Sequence, residues 1–143
     1  QFPGLVMKST NPKSSILIFR SGKIVCTGTK QEQFAKKAIK NMHNFLNSLG
    51  FKTKENPIMI QNIVASVNLR NKIKLEQTAK VLPRSMYEPE QFPGIIHRVV
   101  TPASTVLLFA SGKMVCVGTK SMDNLGKVVH NIVFELRKNK LYA

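Results

Sequence analysis

The sequence predicts an α+β fold in which one small unit, antiparallel strands followed by a long helix, is written twice. Residues 1–50 return at 91–140 with a constant shift of ninety. Gln1-Phe2-Pro3-Gly4 becomes Gln91-Phe92-Pro93-Gly94, Ser21-Gly22-Lys23 becomes Ser111-Gly112-Lys113, and Gly28-Thr29-Lys30 becomes Gly118-Thr119-Lys120. In each copy, β-rich runs flank the Ser-Gly-Lys turn, and a run of helical period follows. A tandem duplicate in one short chain is expected to fold as two similar halves about a pseudo-dyad and to present a two-fold surface. The expected units are residues 1–57 and 58–143.

Along the first copy, Gly4 to Lys8 is a short apolar run broken by Asn11-Pro12. Ser14 to Phe19 and Ile24 to Gly28 are strands joined by the Ser21-Gly22-Lys23 turn. From Gln31 to Leu49 the period changes to that of a helix. Phe34, Ala38, Met42, Phe45, Leu46 and Leu49 are assigned to its inner face, and Gly50 stops it. The second copy repeats the pattern, with Leu125, Val129, Ile132, Val133 and Leu136 on the inner face. It is preceded by a strand over Ile60 to Leu69 and a short helix over Leu75 to Leu82, ended by Pro83. Shifted back by ninety, that opening strand and helix fall before residue 1. Roughly thirty residues of a full first repeat are therefore expected to be absent, taking the duplication as the rule. Gln1 is an unusual start and fits a natural chain that begins earlier.

The formal net charge is +15 over 143 residues. Residues 1–57 carry ten Lys or Arg against Glu32 and Glu55, and residues 58–143 carry twelve against five acids, so the charge belongs to the repeated unit. A polyanion is the expected partner, either nucleic acid or an anionic membrane surface. Cys26 and Cys116 occupy matched places and read as core residues of a reducing compartment, not as a bridge. No apolar run is long enough to span a bilayer.

The hairpin strands are apolar on both faces. Side chains alternate along a strand, so Ile16 and Ile18 oppose Leu17 and Phe19, and Ile24 and Cys26 oppose Val25 and Thr27. In the second copy Val106, Leu108, Met114 and Cys116 oppose Leu107, Phe109, Val115 and Val117. Each unit has one long helix to cover one face. The other is either packed sheet to sheet, as in a sandwich, or left as a binding surface. Lys8, Lys23, Lys30, Arg98, Lys113 and Lys120 flank these strands. A positive rim round an apolar floor suits nucleic acid held through a deformed minor groove.

Tyr87-Glu88-Pro89-Glu90-Gln91-Phe92-Pro93-Gly94, Leu108-Phe109-Ala110-Ser111-Gly112-Lys113, Gln61-Asn62-Ile63-Val64 and Val25-Cys26-Thr27-Gly28-Thr29-Lys30 closely resemble the signatures of the TATA-box-binding protein core. The resemblance runs over essentially the whole chain and in both halves. It implies a pseudo-two-fold saddle, one curved antiparallel sheet with two long helices on the convex face, and so an open concave face. It also implies a transcription initiation factor that binds the minor groove of A·T-rich promoter DNA, bends it and nucleates the initiation complex. The bending is a known behaviour of that family and is not read from the pattern of these residues.

By the same resemblance, Phe2 with Phe19 and Phe92 with Phe109 match the pairs of wedging phenylalanines. Each pair would unstack one base step at a cost of roughly a few kcal/mol. Asn62 matches the central asparagine that donates to minor-groove acceptors. Val25, Thr27, Val64, Val115 and Val117, with Leu17 and Leu107, match the sheet floor, and the six basic residues match phosphate contacts. An apolar floor excludes the guanine amino group and favours A·T. Glu88 and Glu90 look like the acidic stirrup that meets TFIIB, and Lys36, Lys37 and Lys40 like the helix face that meets TFIIA. Self-association through the exposed concave face is a further expectation for the DNA-free chain. The pI near 10.2 and the plain Lys140-Leu141-Tyr142-Ala143 ending point to a eukaryotic, nuclear member. Val117 where threonine is common, Thr10 for a common arginine, and the uncharged Thr101 and Ala103 bear on affinity and on strictness of TATA preference.

Four rival readings remain. A DNA-glycosylase-type domain would need a positioned carboxylate or lysine, whereas the seven acids are unpaired at matched positions. His43, His97 and His130 have no metal-ligand spacing, so neither catalysis nor a metal or other cofactor is expected. A ligand-gripping module would not need a phosphate-spaced basic rim. A membrane-surface role would need the basic helix face and the apolar sheet face on one side. A non-specific or regulatory DNA-binding module of the same family is the nearest alternative.

Overall fold

The computed structural model describes residues 3–143, and Phe2 lies outside them. Two compact units emerge, Gln1–Met59 and Ile60–Ala143. In the first, β1 (Gly4–Thr10), β2 (Lys13–Phe19) and β3 (Ile24–Thr27) form an antiparallel sheet in that order, and α1 (Glu32–Ser48) follows. In the second, β4 (Ile63–Asn68) precedes α2 (Leu75–Val81), β5 (Ser85–Met86), β6 (Gly94–Val99), β7 (Ser104–Phe109), β8 (Lys113–Thr119) and α3 (Met122–Lys138). Its five strands pair in the order β4-β8-β7-β6-β5. The α+β antiparallel class is therefore as the sequence predicts. The strands hydrogen-bond as two sheets, one per unit. β8 has β4 on its outer side, whereas β3, its counterpart ninety residues earlier, is an edge strand.

Local chemistry sets the element ends. Both Ser-Gly-Lys turns close in the same way, with the N–H of Gly22 donating to the Phe19 carbonyl at 2.9 Å and that of Gly112 to the Phe109 carbonyl at 3.0 Å. Gly22 and Gly112 both have φ near +89°, a region open to glycine at little cost. Helix α3 starts on Ser121, whose hydroxyl accepts from the Asn124 N–H at 3.1 Å, and it ends among Arg137 and Lys138, which suit the carbonyl end of the dipole. Helix α1 has no such cap, and the left-handed Gly50 follows its end. Residues 51–62 then run without regular secondary structure. No helix among the described residues is long and apolar enough to cross a membrane.

The core of the second unit joins Ile95, Val106, Leu108, Met114 and Cys116 from the sheet to Leu125, Val128, Ile132 and Leu136 of α3. Ile73, Leu75, Leu82 and Leu141 close its side. Thr78 is buried among them, and its hydroxyl donates back to the Lys74 carbonyl at 2.7 Å. The core of the first unit is smaller: Ile16, Ala38 and Met42, with Met7, Ile18, Ile24, Cys26, Ile39 and Leu46 partly buried around it. Burial raises the thiol pKa of both cysteines, which are free, as expected of packed side chains.

The helix faces need correction. Phe34, Phe45 and Leu49, assigned to the inner face of α1, are exposed. The stripe that meets the sheet runs through Ala38 and Met42, flanked by Ile39 and Leu46, the counterparts of Val128, Ile132, Val129 and Leu136 in α3. In α3 Val128, not assigned to the inner face, is fully buried along with Leu136, and Val129 is only partly buried. The predicted opening strand is also shorter, starting at Ile63 and not at Ile60.

His97 on β6 is buried, and its Nδ1 lies 2.9 Å from the Pro83 carbonyl oxygen and 3.2 Å from Ser85 Oγ. Desolvation dominates and lowers its pKa, the Pro83 bond opposes this, and the nearby Arg84 charge adds to the lowering. The unfolded imidazole, with a pKa of 6.5, thus takes up a proton before the folded one does. The stability it confers is whole above pH 6.5 and is lost as pH falls from there through the folded pKa. Denaturant melts between pH 7.5 and 5.5 should show falling stability on the acid side. His97→Met, which installs the residue that the first copy carries as Met7, should flatten that fall.

Candidate nucleic-acid interface

Strand register decides which side chains share the face away from the helices. In the second unit Ile96, Leu107, Val115 and Ser66 lie opposite one another across β6, β7, β8 and β4. The neighbouring row is Arg98, Thr105, Val117 and Val64. The other face carries Ile95, Val106, Leu108, Met114 and Cys116, all in the core. Five of these eight residues are apolar, on a side that no helix among the described residues of the unit covers, and Val64 is 64% exposed. In the first unit Val6, Leu17 and Val25 form the equivalent row, beside Lys8, Ser15 and Thr27.

At one end of the second face stand Phe92 and Phe109, with ring centroids 5.7 Å apart and planes tilted by 59°. Two local devices place them. The N–H groups of Gln91 and Phe92 both donate to the Glu88 carbonyl at 2.9 Å, so a tight turn sets Phe92 just ahead of β6. Phe109 lies across from Gly94, and a Cβ on Gly94 would come within 2.8 Å of the Leu108 carbonyl oxygen and 3.0 Å of the Phe109 ring. The ring therefore rests on bare glycine. Phe19 faces Gly4 in the same register, the arrangement expected of the duplicate. A shallow cleft beside Phe109 is lined by Ser66, Asn68, Ser111, Lys113 and Val115.

Asn62 stands just ahead of β4. The register slips there: Ile63 opposes Thr119, but Val64 opposes Val117, and Gly118 is the extra residue of a bulge, with φ +103°. The N–H of Gly118 donates to Asn62 Oδ1 at 2.7 Å. With its oxygen engaged by the Gly118 N–H, the Asn62 amide keeps its NH₂ to donate elsewhere.

The expected basic residues are all exposed, and the register places Lys8 opposite Ser15, Arg98 opposite Thr105 and Lys113 opposite Asn68. Lys23 and Lys113 sit in matched turns, each N–H bonded to the preceding serine hydroxyl, and Lys30 and Lys120 follow the glycines that end the hairpins. Glu88 and Glu90 are exposed on the loop before Phe92. Lys36, Lys37 and Lys40 are exposed on α1, with Lys36 3.3 Å from Glu32 in an i,i+4 ion pair. Sequence reasoning passed over Gly94, Ile96, Ser66 and Asn68. Ile96 could have been found from its parity with Arg98, but the close approach that demands Gly94 has no signature in one sequence.

The profile of the family described as "Transcription factor TFIID (or TATA-binding protein, TBP)" matches residues 1–49 and 57–139. A TATA-box-binding protein of Pyrobaculum calidifontis is 45% identical over 139 residues, covering 96% of this chain and 70% of the relative. One from Archaeoglobus fulgidus is 44% identical over 140 residues, covering 96% and 76%. Among solved structures, Methanococcus jannaschii TBP superposes with a TM-score of 0.90 at 41% identity, covering 96% of this chain and 79% of that one. Sequence and backbone agree over nearly the whole chain, and it belongs to the TATA-binding protein family.

Proposed function

We propose that this chain is the DNA-binding core of a general transcription initiation factor, one that takes A·T promoter DNA in its minor groove and bends it. The observation that carries the reading is the uncovered face of the second unit. It has an apolar floor, basic residues at its turns, and the Phe92–Phe109 pair at one end. An apolar floor cannot read the varied donors and acceptors of the major groove. It does fit A·T pairs in the minor groove, which present acceptors and no amino group. Asn62 then supplies donors to those acceptors, the rim residues Lys8, Lys23, Lys30, Arg98, Lys113 and Lys120 meet phosphates, and Phe92 and Phe109 enter a base step. Phe19, with Phe2 outside the described residues, has the same role in the first unit. Leu17, Val25 and Thr27 there, and Val64, Leu107, Val115 and Val117 here, are the floor. The role is that of a binding protein, and its chemistry needs no catalytic group.

The finer assignments rest on the same reading. Residues 1–57 and 58–143 are the two repeats. Glu88 and Glu90 form an acidic contact for a TFIIB-like factor, and Lys36, Lys37 and Lys40 a basic one for a TFIIA-like factor. The open apolar face accounts for self-association when DNA is absent. The site of action is chromosomal DNA. A nuclear location is supported by the high pI and the plain ending alone, since the relatives named above come from archaea, cells without a nucleus.

Titrating a fluorescent TATA duplex across salt should give log K falling linearly with log salt. The slope should be about −5 for six phosphate contacts. Phe92→Ala with Phe109→Ala should abolish the bend measured by end-to-end energy transfer and weaken binding by about 2 kcal/mol or more. Full bending in the double variant would sink the wedge assignment, and equal affinity for a G·C duplex would favour a non-specific basic module. Gly94→Ala should push the Phe109 ring off its seat, costing about 1–3 kcal/mol of folding stability and lowering the bend angle of the folded fraction.

A further inference from the structure

The duplication sets each side chain of the open face beside a counterpart ninety residues away. The register is the same in both units: Ser15 opposes Thr27 and Leu17 opposes Val25, as Thr105 opposes Val117 and Leu107 opposes Val115. Along these rows the chemistry is kept almost everywhere. Val6, Leu17 and Val25 correspond to Ile96, Leu107 and Val115, all apolar. Lys8 corresponds to Arg98, and Ser15 to Thr105. The exception is Thr27, whose counterpart is Val117. The two side chains have nearly the same shape, so the floors differ at this place by one hydroxyl. That hydroxyl lies 3.5 Å from the Ser15 carbonyl oxygen, to which it donates. A hydroxyl that donates there keeps lone pairs with which to accept.

We propose that Thr27 and Val117 determine specificity by making the two halves of the DNA site unequal. The half under the first unit accepts a G·C pair where Thr27 meets it, and the half under the second unit refuses one at Val117. The inference rests on the minor-groove reading above and concerns how strictly each floor reads. In the minor groove guanine carries an amino group that A·T pairs lack. Against Val117 that group is buried with no acceptor, which is unfavourable. Against Thr27 it meets the lone pairs of a hydroxyl. With an A·T pair the same hydroxyl turns and donates to the adenine or thymine acceptor, so Thr27 tolerates both pairs. Such a floor reads direction as well as composition. On a site with one G·C pair the chain lies with its first unit on that half, so a duplicated surface binds asymmetric DNA one way round.

The test uses the 143-residue chain and a self-complementary duplex of alternating T and A, flanked by G·C pairs that fix the register. A base pair within one half or both is changed to G·C or to inosine·C. Inosine lacks the amino group, so the ratio of the two affinities reports that group alone. Stepped through one half, a single G·C pair should weaken binding less than about threefold at one position, where the chain turns to set Thr27 on it. G·C at that position in both halves should weaken binding about tenfold, because Val117 must then meet one of them. Val117→Thr should restore the doubly changed site to within about threefold, and Thr27→Val should raise the loss at the singly changed site to about tenfold. A single G·C pair that costs about tenfold at every position overturns the proposal, and this wild-type comparison stands without either variant. A chain with no preference for A·T over G·C overturns the minor-groove reading, and this inference with it. A preference for A·T that neither substitution redistributes overturns only the inequality of the two halves.

Discussion

A pleated sheet has two faces, and each unit of this chain has one long helix with one apolar stripe to lay against them. The alternation of side chains along a strand leaves no freedom in the matter: once Val106, Leu108, Met114 and Cys116 are committed to α3, the residues between them must face away. In an ordinary half-covered sheet those intervening residues are polar, and the uncovered face is simply wet. Here they include Ile96, Leu107, Val115, Val117 and Val64. The stability of each unit is secured on one side, and the composition of the other side has no folding purpose within it. Most of what distinguishes this molecule follows from that surplus.

Because the open face carries function without a covering layer, its side chains have to be placed by the backbone beneath them. Gly94 is bare so that the Phe109 ring can lie on β6. The Glu88 carbonyl collects two N–H groups to fix the entry of Phe92, and the Gly118 N–H ties the Asn62 amide down by its oxygen. None of these contacts adds much to stability. Each one narrows the orientation of a single side chain, which lowers the entropy lost when a ligand arrives.

The strand pairs, both long helices and the ninety-residue repeat were legible because each has a period that survives in one sequence. The alternation on β2, β3, β7 and β8 placed the floor residues on the correct face. What was not legible was the rotation of α1. Phe34, Ala38, Met42 and Phe45 recur at helical spacing, but only two of the four meet the sheet, the same two turns through which Val128 and Ile132 of α3 dock, and that rotation is a tertiary fact. The glycine seat of Phe109 was hidden for a similar reason. It depends on a contact between strands, and a glycine before a strand reads in sequence as a turn.

The width of the open face bears on how it can meet DNA. Four strands at a spacing of about 4.8 Å make a floor roughly 14 Å across, whereas the minor groove of relaxed B-form DNA is only about 6 Å wide. A flat apolar sheet of that width cannot enter such a groove, so the groove has to open, and the protein cannot open it by base-specific hydrogen bonds it lacks the side chains to make. On the function proposed above, opening comes instead from unstacking at an end, where Phe92 and Phe109 sit, together with the attraction of phosphates to the basic residues at the turns. Preference for A·T sites that contain TA steps then follows from two separate terms. Those pyrimidine–purine steps kink at less cost, and an apolar floor leaves no partner for a guanine amino group, whose burial without a hydrogen bond is unfavourable. Selectivity in this arrangement comes chiefly from what the floor refuses, and the single asparagine beside the Gly118 bulge adds only a local preference to it.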